Sequence, residues 1–238
     1  MPLKILIDAG HGGSETGAVA NGYLEKNLNL QVALLLEQEL KRCGFETLMT
    51  RRNDINMSLS ERGQMAINNN CNALISIHFN SFNGTAKGCE IIYSFLKGQT
   101  RDSSQWIANC MIDEVVQLGL YRRGVWTKES SSYPGHNYYG VLRSAEPVAG
   151  VIAEGLFLDN AEDVKFLKQP DFLKKLAIAY AKGICKAYGI AYVEENNINN
   201  GKNYSILQIN SRGQEVIELQ QKLNQLGYSL DCDGIFGM

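Results

Sequence analysis

Leu3-Lys4-Ile5-Leu6-Ile7-Asp8-Ala9-Gly10-His11-Gly12-Gly13 is the stretch whose reading decides the fold. Its apolar run from Leu3 to Asp8 is cut off by Gly10, Gly12 and Gly13, as a short buried strand is when it ends in a tight turn. From Leu28 the apolar positions Leu28, Val32, Leu35, Leu36 and Leu40 recur at three- and four-residue steps up to Gly44, the face of an amphipathic helix. Phe45 to Thr50 reads as a second strand. Ser58 followed by Glu61 makes a capping-box start for a helix to about Asn69, and Ala73 to Ile77 is a wholly apolar strand. Gly88 to Ser94 is a further strand, Ser103 to Leu118 a helix, Val148 to Ala153 another apolar strand and Asp171 to Tyr188 a last long helix. Strands separated by such helices need crossover connections. The pattern therefore predicts an α/β fold, a mostly parallel twisted sheet with helices on both faces, followed by a short helical C-terminal appendage.

The 238 residues allow one domain of ordinary size with a small addition. Lys plus Arg (23) nearly balances Asp plus Glu (25) for a net charge of -2, so neither nucleic acid nor an anionic membrane is expected as a partner. No stretch approaches the roughly 18 apolar residues of a membrane helix. The break at Asp8 also excludes a signal peptide at the start of the sequence, so synthesis in the cytoplasm is expected. Cys43, Cys71, Cys89, Cys110, Cys185 and Cys232 form no Cys-x-x-Cys pair and read as reduced thiols, mostly buried.

In parallel sheets, ligands collect outside the carboxyl ends of the strands. His11 lies just past the first strand, His78 closes the Ala73 to Ile77 strand, Glu154 closes the Val148 to Ala153 strand, and Glu25 sits at the start of the first helix. Two imidazoles and one carboxylate are the ligand set of a catalytic zinc that keeps its fourth position for water, whose pKa falls to about 7. Glu154 would then be the unligated carboxylate that moves the proton. A lone histidine beside glycines is more often a turn or hydrogen-bonding residue, and the spacing is not the compact His-Glu-x-x-His signature. The residues alone leave both readings open.

Together the segments resemble the zinc-dependent N-acetylmuramoyl-L-alanine amidases that cut bacterial peptidoglycan, the autolysin and endolysin type, from Lys4 to about Tyr188. Ile7-Asp8-Ala9-Gly10-His11-Gly12-Gly13 is similar to the family's opening motif, Leu24-Glu25-Lys26-Asn27-Leu28 to its glutamate segment, and Ile75-Ser76-Ile77-His78-Phe79-Asn80-Ser81 to its second histidine segment. The resemblance implies His11, Glu25 and His78 as ligands of Zn2+. It implies Glu154, in Glu154-Gly155-Leu156-Phe157-Leu158-Asp159-Asn160, as the catalytic residue. The family more often reads Glu-x-Gly-Phe there. Thr50-Arg51 with Asp54, and Leu59 with Arg62, match a stretch of mainly structural role. The implied reaction is hydrolysis of the amide between N-acetylmuramic acid and L-alanine, with peptidoglycan as partner. Two rivals stand beside it, a zinc peptidase cutting within the stem peptide and a non-catalytic wall-binding module.

Asn80 points to the same side of an extended chain as His78, which suits substrate binding or a structural role equally. His136 reads as an ordinary loop histidine; Tyr133, Tyr138 and Tyr139 suit a sugar groove or the core; Glu90 and the Arg122-Arg123 pair read as structural or solvated. Residues 1–192 are expected to be the catalytic domain, 193–205 a polar linker and 206–238 a segment with Val216, Leu219, Leu223 and Leu226 at helical spacing. That last segment resembles the opening part of a peptidoglycan-binding repeat. Action on the wall after release from the producing cell is the expected setting, and the sequence assigns no oligomeric state.

Overall fold

The computed structural model describes residues 2–195, 207, 210–225, 228 and 230–237, so most of the expected linker, residues 196–205, lies outside the described residues. The chain divides into two compact units, Met1–Val193 and Glu194–Met238. In the first, the order is β1 (Lys4–Ala9), β2 (Val19–Ala20), β3 (Tyr23–Leu24), α1 (Glu25–Arg42), β4 (Glu46–Met49), α2 (Leu59–Asn68), β5 (Ala73–Asn80) and β6 (Cys89–Tyr93). It continues with α3 (Gln99–Val115), β7 (Arg122–Trp126), α4 (Gly140–Ser144), β8 (Ala149–Phe157), α5 (Val164–Leu167) and α6 (Phe172–Ala187).

Six strands form one mixed sheet in the order β4-β1-β5-β8-β6-β7, and β2 with β3 makes a separate small hairpin. All neighbours run parallel except β6 and β8. Alternation along each strand sorts the residues by face. Ile5, Ile7, Ala9, Ala73, Ile75, Ile77, Val151, Ala153 and Ile91 enter the larger core with α1, α3 and α6. Leu6, Leu74, Ile152 and Ile92 enter a smaller core capped by Ala66 of α2 and Val141 and Leu142 of α4. Helices on both faces are what the sequence predicted. The capping box is also present: the Glu61 backbone N–H donates to Ser58 Oγ at 3.2 Å and the Ser58 N–H donates to Glu61 Oε2 at 2.8 Å.

The elements differ from expectation at several points, among them the short helices α4 and α5, which the sequence reading did not include. β5 runs on to Asn80 and β8 to Phe157, so His78 and Glu154 lie inside strands rather than closing them. The ladder continues because His78 pairs with Glu154 and Asn80 with Phe157; polar side chains do not end a strand whose face is the cleft. β7 escaped the reading because Arg122-Arg123-Gly124 breaks the apolar pattern, as charged residues do on an edge strand. The hairpin β2/β3 is too short to carry any period. Five cysteines are buried and Cys232 is exposed, none in a disulfide.

The second unit is built on α7 (Gln214–Gln225). Val216 is fully buried, and Gln220 clasps the following loop: its Nε2 donates to Asp233 Oδ1 at 2.8 Å and its Oε1 accepts from the Gly234 N–H at 3.0 Å. Among the described residues, no helix is long and apolar enough to cross a membrane.

Candidate metal centre

The polar face of the sheet begins at Asp8, where an apolar strand turns acidic at its end. Asp8 is buried and accepts from Arg62 Nη1 at 2.7 Å, Thr50 Oγ1 at 2.8 Å and Ser76 Oγ at 2.6 Å. Burial opposes its charge, but the Arg62 guanidinium and the Ser76 hydroxyl outweigh that and hold the carboxyl below its usual range. Arg62 also donates to the carbonyls of Ala9 at 2.7 Å and His11 at 2.8 Å. Arg51 donates to those of Ala9 at 2.8 Å, Gly10 at 3.0 Å and Lys26 at 2.7 Å. Two buried guanidinium groups thus fasten the turn that follows β1, which is the structural role expected of this stretch. The turn places His11 in the left-handed region, at φ 58°, where a non-glycine residue is strained.

Glu25 is the first residue of α1, where the positive end of the helix dipole favours a carboxylate. It is buried, and each oxygen has a backbone donor: Ala18 N–H reaches Oε2 at 2.8 Å and Phe79 N–H reaches Oε1 at 3.2 Å. His11 Nε2 lies 3.3 Å from Oε2 and His78 Nδ1 lies 2.8 Å from Oε1. The two imidazole rings meet edge to face with centroids 5.0 Å apart. One donor atom from each of His11, Glu25 and His78 lies within 4.8 Å of the others, and this is the one such cluster among the described residues. Burial works against the Glu25 charge, but hydrogen bonds from the two histidines overcome it and depress the pKa strongly. His78 is also desolvated, yet its bond to Glu25 and the charges of Glu154, Glu25 and Asp8 raise it to about 9.

Glycine is required around this cluster. A Cβ on Gly10 would collide with the His78 ring, and one on Gly17, whose φ is 65°, would collide with Glu25 Oε2 and the His11 ring.

Glu154 stands beside the cluster, in register with His78 across β5 and β8. Burial raises its carboxyl to about 7, with further help from the charges of Glu25 and Glu90. Its Oε2 is buried without a hydrogen-bond partner among the described residues. A cavity of about 330 Å³ opens over His11 and His78, walled by Met57, Leu59 and Val141. The four residues that sequence reasoning placed at separate element ends are therefore brought together.

Asn80 lies on the same face, its side-chain amide donating to Glu90 Oε1 at 2.8 Å. His136 lies apart, exposed, with its Nδ1 2.6 Å from Glu146 Oε2. Tyr133 and Tyr138 are exposed under Arg143 and Lys128, while Tyr139 packs against Trp126. Sequence reasoning passed over Asp8 and Ser76. Each is a lone polar residue inside an apolar strand, and that interruption was the signal available.

A mixed α/β sheet that brings a His-Glu-His cluster and a buried carboxyl to one cleft is an arrangement suited to a hydrolase. Residues 5–186 match the N-acetylmuramoyl-L-alanine amidase family, and the chain belongs to it. It is 32% identical over 192 residues to the amidase CwlM of Bacillus licheniformis, covering 79% of this chain and 70% of that protein. It is 33% identical over 191 residues to the sporulation-specific N-acetylmuramoyl-L-alanine amidase of Bacillus subtilis, covering 79% and 69%. Among solved structures, the catalytic domain of CwlV from Bacillus (Paenibacillus) polymyxa superposes with a TM-score of 0.68 at 30% identity, covering 79% of this chain and 99% of that one.

Proposed function

We propose that the chain is a zinc-dependent amidase that hydrolyses the bond between the lactyl group of N-acetylmuramic acid and the L-alanine of the peptidoglycan stem. The observation that carries this reading is the clustered His11, Glu25 and His78 donor set, with Glu154 in register beside it, one of whose oxygens has no partner among the described residues. Two nitrogens and one carboxylate oxygen suit Zn2+, and an orphaned carboxylate oxygen suits a group that exchanges protons with water and substrate. A zinc ion held by the three side chains would supply Lewis acidity, polarising the amide carbonyl and making water acidic near neutrality.

The remaining steps belong to this chain's residues. Glu154, with its proton affinity near neutrality, takes a proton from the attacking water and returns it to the departing alanine nitrogen. Glu25 keeps both imidazoles turned toward one point, while Arg62 holds the His11 carbonyl and Arg51 the Gly10 carbonyl. Asn80 gives one amide hydrogen to Glu90 and has a second to offer to substrate. Residues 1–192 would carry the reaction and 206–238, as a partial peptidoglycan-binding-like repeat, would add contact with the wall.

Mass spectrometry of purified muropeptides digested by the zinc-loaded protein tests the reading. Free lactyl groups together with new L-alanine amino termini are expected; cuts within the stem peptide would replace it with a peptidase. Release of dye from labelled walls that is indifferent to a chelator would remove zinc from the reaction.

A further inference from the structure

On the side of Glu154 away from the histidines, the sheet carries a second polar group. Glu90 of β6 pairs with Glu154 across the antiparallel ladder, so both carboxylates occupy one face. Glu90 is buried and its oxygens are engaged: Oε1 accepts from Asn80, and Oε2 accepts from Arg123 Nε at 2.9 Å and Trp126 Nε1 at 3.4 Å. Arg123 comes from the edge strand β7. Its guanidinium carbon lies 4.9 Å from the centroid of the Phe157 ring, and its side chain is 35% exposed.

This arginine is held but not used up. Glu90 takes only Nε, and among the described residues the two terminal nitrogens make no hydrogen bond. Arg122, its neighbour in the chain, is committed elsewhere and reaches Asp113 at 2.6 Å. A guanidinium pinned at Nε and lying on an aromatic ring presents its outer edge in a fixed plane. That is the geometry that receives a carboxylate.

We propose that Arg123 binds the free carboxylate carried by the stem residue that follows alanine, and so selects peptides in which that carboxylate is not amidated. The inference rests on the amidase reading and deepens it. β7 lies two strand spacings from β8, roughly 10 Å. From the scissile nitrogen, one alanine and the next residue extend roughly 7 Å, and Arg123 reaches back over β6 to Glu90, which closes the difference. The substrate peptide would thus cross the strands from Glu154 toward the sheet edge, over Glu90.

The test compares N-acetylmuramoyl-L-alanyl-γ-D-glutamyl-L-lysine amide with its counterpart amidated at the glutamyl α-carboxyl, so that the γ-carboxyl is blocked in both, using the zinc-loaded full chain. Wild-type protein should favour the free acid by about tenfold in kcat/KM, mostly through KM, the size expected of one charge-assisted pair at a partly exposed site. The preference should shrink as salt is raised. Arg123→Gln, which can still donate to Glu90, should bring the ratio of the two substrates close to one, and Arg123→Lys should restore part of it. Because the readout is a ratio within one preparation, partial loss of folded protein does not affect it. Equal kcat/KM for both substrates in the wild type, or an undiminished ratio in Arg123→Gln, would overturn the assignment. Failure of the wild type to cut either substrate would instead overturn the amidase reading.

Discussion

Replacing Asp8 by Asn probes whether the His11 turn stands on the ion pair beneath it. Asp8 and Arg62 are 1% and 3% exposed, and their charges meet at 2.7 Å. With the carboxylate replaced by an amide, Arg62 loses its counter-charge and is left with neutral acceptors, the Asn Oδ1 and the carbonyls of Met57, Ala9 and His11. Removing one partner of a buried pair costs roughly 3–5 kcal/mol. Three carbonyls still solvate the guanidinium, so the lower end, about 3 kcal/mol, is expected, or a fall of roughly 6–12 °C in melting temperature for a unit of this size. Denaturant unfolding of the metal-free protein measures it. The double variant Asp8→Asn/Arg62→Met removes both charges and should show coupling of at least about 1 kcal/mol; additivity within about 0.5 kcal/mol would refute the argument. The pH dependence has a definite sign. Folding holds the Asp8 carboxyl below its unfolded value of about 3.9, so its stabilisation is complete above that pH and is lost as pH falls through the lower folded value. The Asn variant should lack this acid-side loss.

Other substitutions separate the roles within the site. His11→Ala or His78→Ala should lower the zinc content found by elemental analysis, and full occupancy in either would break the ligand assignment. Glu154→Gln should retain zinc and lose on the order of 10²–10⁴ in kcat. The free carboxyl stands at about 7 and a neighbouring cation lowers it, so the acid limb of the wild-type rate profile should fall below pH 7 and vanish in the Gln variant. Gly17→Ala forces a side chain into a backbone at φ 65° and onto Glu25, and should weaken zinc binding by at least about tenfold in a chelator competition; unchanged affinity would show that the cradle yields.

What could be read in advance depended on whether a residue's role is local. The helix from Leu28 and the capping box at Ser58 are local patterns, and both stand in the structure. His11, His78 and Glu154 were legible as polar residues at the ends of apolar runs, because a parallel sheet gathers such ends on one side. β7 was not, since an edge strand buries too little to impose alternation on Arg122-Arg123-Gly124. Nor was the role of Glu90 and Arg123, which exists only because β6 reverses against β8 and brings β7 alongside. Local sequence shows the polarity of each residue, but cross-strand pairing decides its partner.

The strand order explains why the cluster forms where it does. From β1 the chain moves outward to β4 and then returns past β1 to β5, so the two crossovers travel in opposite directions. Right-handed connections that reverse direction must lie on opposite faces, which puts α1 against the larger core and α2 against the smaller one. Between their ends a crevice opens above β1 and β5. His11 and Glu25 come from the connection leaving β1, and His78 from β5, so the three donors span that crevice. Glu154, Glu90 and Arg123 follow on β8, β6 and β7, each one strand farther out. The donor set thus belongs to the switch point, and the groups assigned to proton transfer and peptide selection belong to one wing of the sheet. Changes on β7 should therefore alter which peptide is cut while leaving metal affinity alone, whereas changes beneath β1 should do the reverse.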